Sequence, residues 1–190
     1  MLSRMSLADF ELRYRSDPDP WGYLTSDYER DKYAATLAAC GDGPFEDALE
    51  LGASIGVFSA LLAPRCGRLT TIDAAPTAVA AARRRLAGTP AVRVILGAIP
   101  DAIPDRPFDL VVASEILYYL SADELGATLG RLESCMASGA RLVAVHWRPA
   151  GPERPVNADF VHRVLREQSW LEPSEHAGTD DYALDVLERR

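Results

Sequence analysis

Lysine is almost absent from this sequence. Of its 20 basic residues only Lys32 is a lysine, and the longest basic run is Arg83-Arg84-Arg85. Set against 28 acidic residues, this leaves a net charge of −8. Such a chain lacks a surface for tracking phosphates, which excludes a nucleic-acid partner. Its field favours a cationic small molecule instead. No apolar run reaches about 18 residues, so no membrane span is expected. The opening stretch M-L-S-R-M-S-L-A-D-F-E lacks the apolar core of about 7–15 residues that marks a signal peptide. Cysteines are few. Cys40, Cys66 and Cys135 are far apart, odd in number and without metal-ligand spacing. They read as free buried thiols in a reducing compartment, so a cytoplasmic protein without a bound metal is expected.

What is present suits one globular domain. The chain has 190 residues, 48% of them hydrophobic, enough for a substantial core. Two Asp-Pro pairs and a glycine in D-P-D-P-W-G-Y, 17–23, forbid a continuous helix there. A helix follows, opened by the S-x-x-E pattern of Ser26 and Glu29, carrying Tyr33 and Leu37, and closed by Gly41. Beyond it, strands and helices alternate. Strands are predicted over 47–51, 69–72, 92–96, 108–113, 142–145 and 182–187, with a weaker one around 170–176. Helices fall over 57–63, from Pro76 to Gly88, after Ser121 with its partner Glu124, and over 160–168. Residues 149–157 are a proline-rich loop. The pattern implies an α/β fold: a Rossmann-like, doubly wound sheet, mostly parallel, with an antiparallel strand near the C-terminus and helices on both faces. Residues 1–44 read as a cap and first helix, and 45–190 as the core, all within a single domain of residues 1–190.

Residues 50–56, E-L-G-A-S-I-G, sit where the first strand turns into a helix. G-x-S-x-G is also the spelling of a hydrolase's nucleophile elbow. That reading needs an upstream oxyanion segment, and nothing like H-G-G precedes it. A glycine-rich cofactor loop explains more. In an open α/β sheet the ligand lies beyond the carboxyl ends of the strands. Gly52 and Gly56 remove side chains where the backbone turns. Asp73 ends the second strand, placed to accept hydrogen bonds from two ribose hydroxyls; capping the helix at Pro76 is its competing role. The third glycine of the dinucleotide fingerprint is missing, and Glu50 would set a negative charge beside a pyrophosphate. Beside a sulfonium and an ammonium that charge is favourable. S-adenosylmethionine is therefore the better ligand, with S-adenosylhomocysteine as product.

With these residues in view the sequence resembles the class I S-adenosylmethionine-dependent methyltransferases. The segments that carry the likeness are E-L-G-A-S-I-G (50–56), T-T-I-D (70–73), F-D-L-V-V-A-S-E-I-L-Y-Y-L (108–120) and S-G-A-R-L-V-A-V-H-W (138–147). More narrowly, D-P-W at 19–21, D-Y-E-R at 27–30 and S-E-I-L-Y-Y-L at 114–120 resemble the NodS family, whose members N-methylate the deacetylated amino sugar of a chitooligosaccharide nodulation factor. The resemblance implies that Gly52, Ala53 and Gly56 line the methionine part of the cofactor; Glu50, by its charge, and Ser54, in the same loop, are also expected to bind the cofactor. It implies that Asp73 takes the ribose, that Ala74 or Ala75 packs near the adenine, and that Ala98 and Ile99 border its amino group. Ser114 and Glu115 would lie under the methyl, and Tyr118 and Tyr119 would reach toward the acceptor. Ser54 and Ala98 depart from the glycine and aspartate common in the class.

Methyl transfer from a sulfonium asks mainly for orientation and a dry pocket. An amine acceptor also needs somewhere to leave a proton. Glu115 and His146 are the candidates, each at a strand end, with a salt bridge and a packing role as their competing readings. Trp147 and Arg148 extend the same edge and suit a sugar. Tyr14, Trp21, Tyr23 and Tyr28 read either as a lid that orders on binding, with Trp21 over the cofactor, or as packing of an N-terminal helix. The acceptor expected is a small molecule, an amino sugar or similar polar amine. An O-methyltransferase of a glycan or secondary metabolite, or a non-catalytic cofactor-binding protein, are the alternatives. The oligomeric state is not legible.

Overall fold

The computed structural model describes residues 5–149, 151 and 153–190. Residues 1–4 of the opening stretch, and Ala150 and Pro152 of the proline-rich loop, lie outside them. The strands are β1 (Ala48–Leu51), β2 (Leu69–Asp73), β3 (Val92–Leu96), β4 (Phe108–Ser114), β5 (Met136–Trp147), β6 (Leu171–Gly178) and β7 (Tyr182–Arg189). The helices are α1 (Leu7–Ser16), α2 (Asp27–Cys40), α3 (Val57–Leu62), α4 (Pro76–Arg85), α5 (Ala122–Cys135) and α6 (Ala158–Arg166). All seven strands form one sheet in the order β3-β2-β1-β4-β5-β7-β6. β1 to β5 pair in parallel, and β7 runs antiparallel to both β5 and β6.

Strand residues alternate between two packed layers, as a pleated strand buried on both faces requires. Val111 and Ala113 of β4 and Leu142 and Ala144 of β5 join Leu125, Leu129 and Leu132 of α5 and Val161 and Leu165 of α6. Leu110 and Val112, with Val143 and Val145, join Tyr33 of α2 and Phe58 and Leu62 of α3 on the other side. A third cluster places Tyr14 of α1 against Ile55, Ala75 and Ala78.

Several expectations change in detail. α1 precedes the Asp-Pro turn, capped by Ser6 and Asp9, where the sequence pointed only to polar and aromatic chain. β5 extends well beyond 142–145. The Ser121 box is complete, with Glu124 reaching back to the cap. The Ser26 box is only half formed. Ser26 accepts from the Glu29 amide at 3.3 Å, but its own amide goes to the Gly22 carbonyl and the Glu29 carboxylate turns to Lys32.

Candidate active site

A cavity of about 580 Å³ opens beyond the carboxyl ends of β1, β2 and β4, with α1 and α2 along its side. At one end two strand tips are tied together by Asp73. One carboxylate oxygen accepts the Ser54 amide at 2.8 Å, the other the Ala75 amide at 2.9 Å. Burial raises its pKa, and these amides pull it back. The carboxylate lines the cavity with acceptor capacity to spare. Gly52 has φ +78°, and a Cβ there would come within 3.0 Å of Ile116. A side chain is thus excluded where the loop passes β4. Ser54 and Glu115 are the non-glycine residues with positive φ among those described, at 51° and 56°, and both line the cavity. Backbone held in that region commonly marks a working site. Tyr14 donates to the Ser54 hydroxyl at 2.6 Å, so α1 is bonded directly to the glycine loop. Ala74, Ala98, Ile99 and Trp21 also border the space.

At the other end the wall is ionic. Ser114 ends β4, and Glu115 follows in the turn. Lys32 donates to Glu115 Oε1 at 2.7 Å and to Glu29 Oε1 at 2.9 Å. Glu115 Oε2 accepts the Trp147 amide at 3.1 Å and the Tyr118 hydroxyl. The Lys32 side chain is only 2% exposed, and its ammonium stands 5.0 Å from the centre of the Tyr28 ring. Arg154 lies over both Trp147 and Tyr118, at 4.8 and 4.7 Å. Among the described residues no cluster of three or more His, Cys, Asp or Glu is arranged to hold a metal ion.

Five expected site residues do not line the cavity. Glu50 is buried within β1, and its carboxylate takes the Ser59 hydroxyl of α3, so its charge faces the helix layer. Ala53 is only 4% exposed, and its amide is spent on the Ile72 carbonyl. Gly56 answers a packing demand: with φ +77°, a Cβ would meet Ala82 at 3.1 Å, so the glycine lets α3 approach α4. His146 is fully buried. Its Nε2 accepts the Leu117 amide and its Nδ1 faces His162, which reaches Asp185. That chain ties down the segment carrying Tyr118 and Tyr119 and occupies both nitrogens of the imidazole. Arg148 pairs with Asp159 at 3.6 Å, outside the cavity, and Arg154 takes its expected place. Sequence reasoning missed Lys32, Glu29's inward carboxylate and Arg154. The one available signal was a solitary lysine in a chain that otherwise uses arginine.

A sheet of this order, with such a cavity at its carboxyl edge, defines a Rossmann-like doubly wound fold with a ligand site where that fold places one. Residues 7–150 match the family model described as Nodulation protein S (NodS), and the chain belongs to that family. It is 35% identical over 154 residues to Nodulation protein S of Rhizobium tropici, covering 78% of this chain and 65% of that protein. It spans about half to two thirds of the length of these curated relatives. The crystal structure of the N-methyltransferase NodS from Bradyrhizobium japonicum WM9, in complex with S-adenosylhomocysteine, superposes with a TM-score of 0.88 at 26% identity, covering 97% of this chain and 99% of that one. A methyltransferase-like structure from Pseudomonas syringae is 36% identical with a TM-score of 0.75, over 85% of this chain and 99% of the other.

Proposed function

We propose that the protein transfers a methyl group from S-adenosylmethionine to the nitrogen of an amino sugar or a related small polar amine. The observation that carries this is the cavity's polarity. Asp73 stands at one end, and a carboxylate cluster around Lys32 at the other. When bound, the cofactor supplies a methyl group activated by positive sulfur. Asp73 would hold the ribose, Gly52 and Ser54 the methionine portion, and Ala74, Ala98 and Ile99 the adenine. Ser114 and Glu115 set the floor near the methyl, Tyr118 backs the wall, and Trp147 and Arg154 give a sugar-sized acceptor flat faces to lie on. The described residues from 5 to 44 act as the cap over the core that follows. Unpaired cysteines support a reducing, cytoplasmic setting, and no helix among the described residues is long and apolar enough to cross a membrane.

Labelled-methyl transfer onto glucosamine oligomers, compared with their N-acetylated forms, tests the reading. Label should enter only the free-amine oligomers; incorporation into both would favour O-methylation, and into neither a non-catalytic binder. Asp73→Ala should weaken S-adenosylhomocysteine binding by about 10- to 150-fold, the loss of charge-assisted hydrogen bonds worth about 1.5–3 kcal/mol. A calorimetric change under twofold removes Asp73 from the ribose.

A further inference from the structure

Two buried polar atoms on the cavity wall have no hydrogen-bond partner: Oε2 of Glu29 and the hydroxyl of Tyr28. Glu29 is only 8% exposed. The groups around it are engaged. Its own Oε1 accepts from Lys32, which also donates to Glu115. Glu115 carries three donors, Lys32, Tyr118 and the Trp147 amide. A carboxylate so occupied has its lone pairs already engaged by protein donors. The open position is on Glu29. A buried oxygen left unpaired is costly and points to a donor that arrives with a ligand. Around Lys32 two carboxylates face one ammonium, with Arg154 further along the wall, so the open position suits a cationic donor.

We propose that Glu29, with Tyr28 beside it, seats the acceptor's protonated amine and takes its proton before methyl transfer. This rests on the amine reading above. The N–H bond breaks, its electron pair stays on nitrogen, and the proton bonds to Glu29 Oε2. The freed pair then forms the N–C bond as the C–S bond breaks. That second pair goes to sulfur, leaving a secondary ammonium and a neutral thioether. Burial raises the Glu29 carboxyl above its ordinary pKa, against the pull of Lys32, which is the direction a proton acceptor needs. The groups facing it are Lys32, Tyr28 and Tyr33 of its own helix, Glu115 beyond β4, and Asp19 and Tyr23 of the preceding segment.

The test uses Glu29→Gln and Tyr28→Phe in the full chain, with glucosamine tetramer and its N-acetylated counterpart as probes. Both variants should bind S-adenosylhomocysteine within twofold of wild type, which shows that they fold. By calorimetry on the S-adenosylhomocysteine complex, Glu29→Gln should lose the wild-type preference for the free-amine oligomer at least tenfold, and Tyr28→Phe a few-fold. At pH 7, kcat/KM of Glu29→Gln should fall at least 30-fold. The gap should narrow at least fivefold near pH 9.5, where the amine arrives already neutral. A variant within twofold of wild type, or a gap unchanged by pH, overturns the assignment and leaves the functional reading standing. A wild-type protein that methylates neither oligomer overturns both.

Discussion

Glu50 and Glu29 are both buried carboxylates, and their partners separate them. Glu29 faces the cavity beside a lysine. Glu50 faces α3, with only the Ser59 and Thr71 hydroxyls to offset its burial, and its pKa is pushed up to about 7 from 4.5. Between those values the folded protein holds a proton that the unfolded chain releases, so stability falls as pH rises through that window. The full difference is roughly 3 kcal/mol. Glu50→Gln keeps the shape without the charge. The variant should be more stable than wild type by about that amount at pH 8 and equal to it near pH 4, measured by urea denaturation. Equal stability at pH 8 would mean that Glu50 is solvated or compensated there. The sequence showed a carboxylate beside a glycine loop but not which way it points. Asp73 was legible because a strand end fixes its position. Glu29 was not, because the helix-capping pattern explained it locally, and only the folded chain brings Glu115 to its lysine.

Elements differ in how openly they announce themselves. β1, β2 and β4 were readable because strands buried on both faces leave uninterrupted apolar runs. β6 read weakly because its Glu172, Pro173, Ser174, Glu175 and His176 are exposed at the sheet edge. α1 went unread for a related reason. Tyr14 is its one buried residue, while Leu7 and Leu12 are 54% and 64% exposed, so no apolar stripe marks it. Its attachments are specific rather than extensive. Tyr14 holds Ser54, Glu11 takes the Thr77 amide and hydroxyl at 2.9 and 2.6 Å, and Phe10 meets Tyr119 edge-on at 4.9 Å. An element so lightly buried belongs to the low-stability end of a fold. Since one of its contacts, Tyr14 on Ser54, falls on the loop assigned to the cofactor, S-adenosylhomocysteine should slow protease cleavage within the first ~25 residues at least fivefold, through ordering on binding. Tyr14→Phe should lose most of that protection. Cleavage indifferent to the ligand would make α1 simple packing.

At the scale of the whole molecule, charge connects composition to the site. The chain carries −8, and Lys32, the lysine of the sequence, is spent inside the cavity between two carboxylates. The cavity wall therefore adds to the overall field instead of opposing it. Arg154 lies over Trp147 and Tyr118 and is the main local counterweight. An oligomer with several protonated amines would be drawn in from a distance comparable to the Debye length, about 30 Å at 0.01 M salt and about 10 Å at 0.1 M. Steering of this kind raises association rates by about tenfold or more at low salt. For the glucosamine tetramer, kcat/KM should fall about three- to tenfold as salt rises from 10 to 200 mM, while kcat at saturation stays within twofold, because screening acts on encounter and not on the bound complex. Glucosamine itself, with one charge, should show a shallower slope. Equal slopes for monomer and tetramer would place recognition entirely in short-range contacts at Glu29 and Tyr28 and remove the acidic surface from the account.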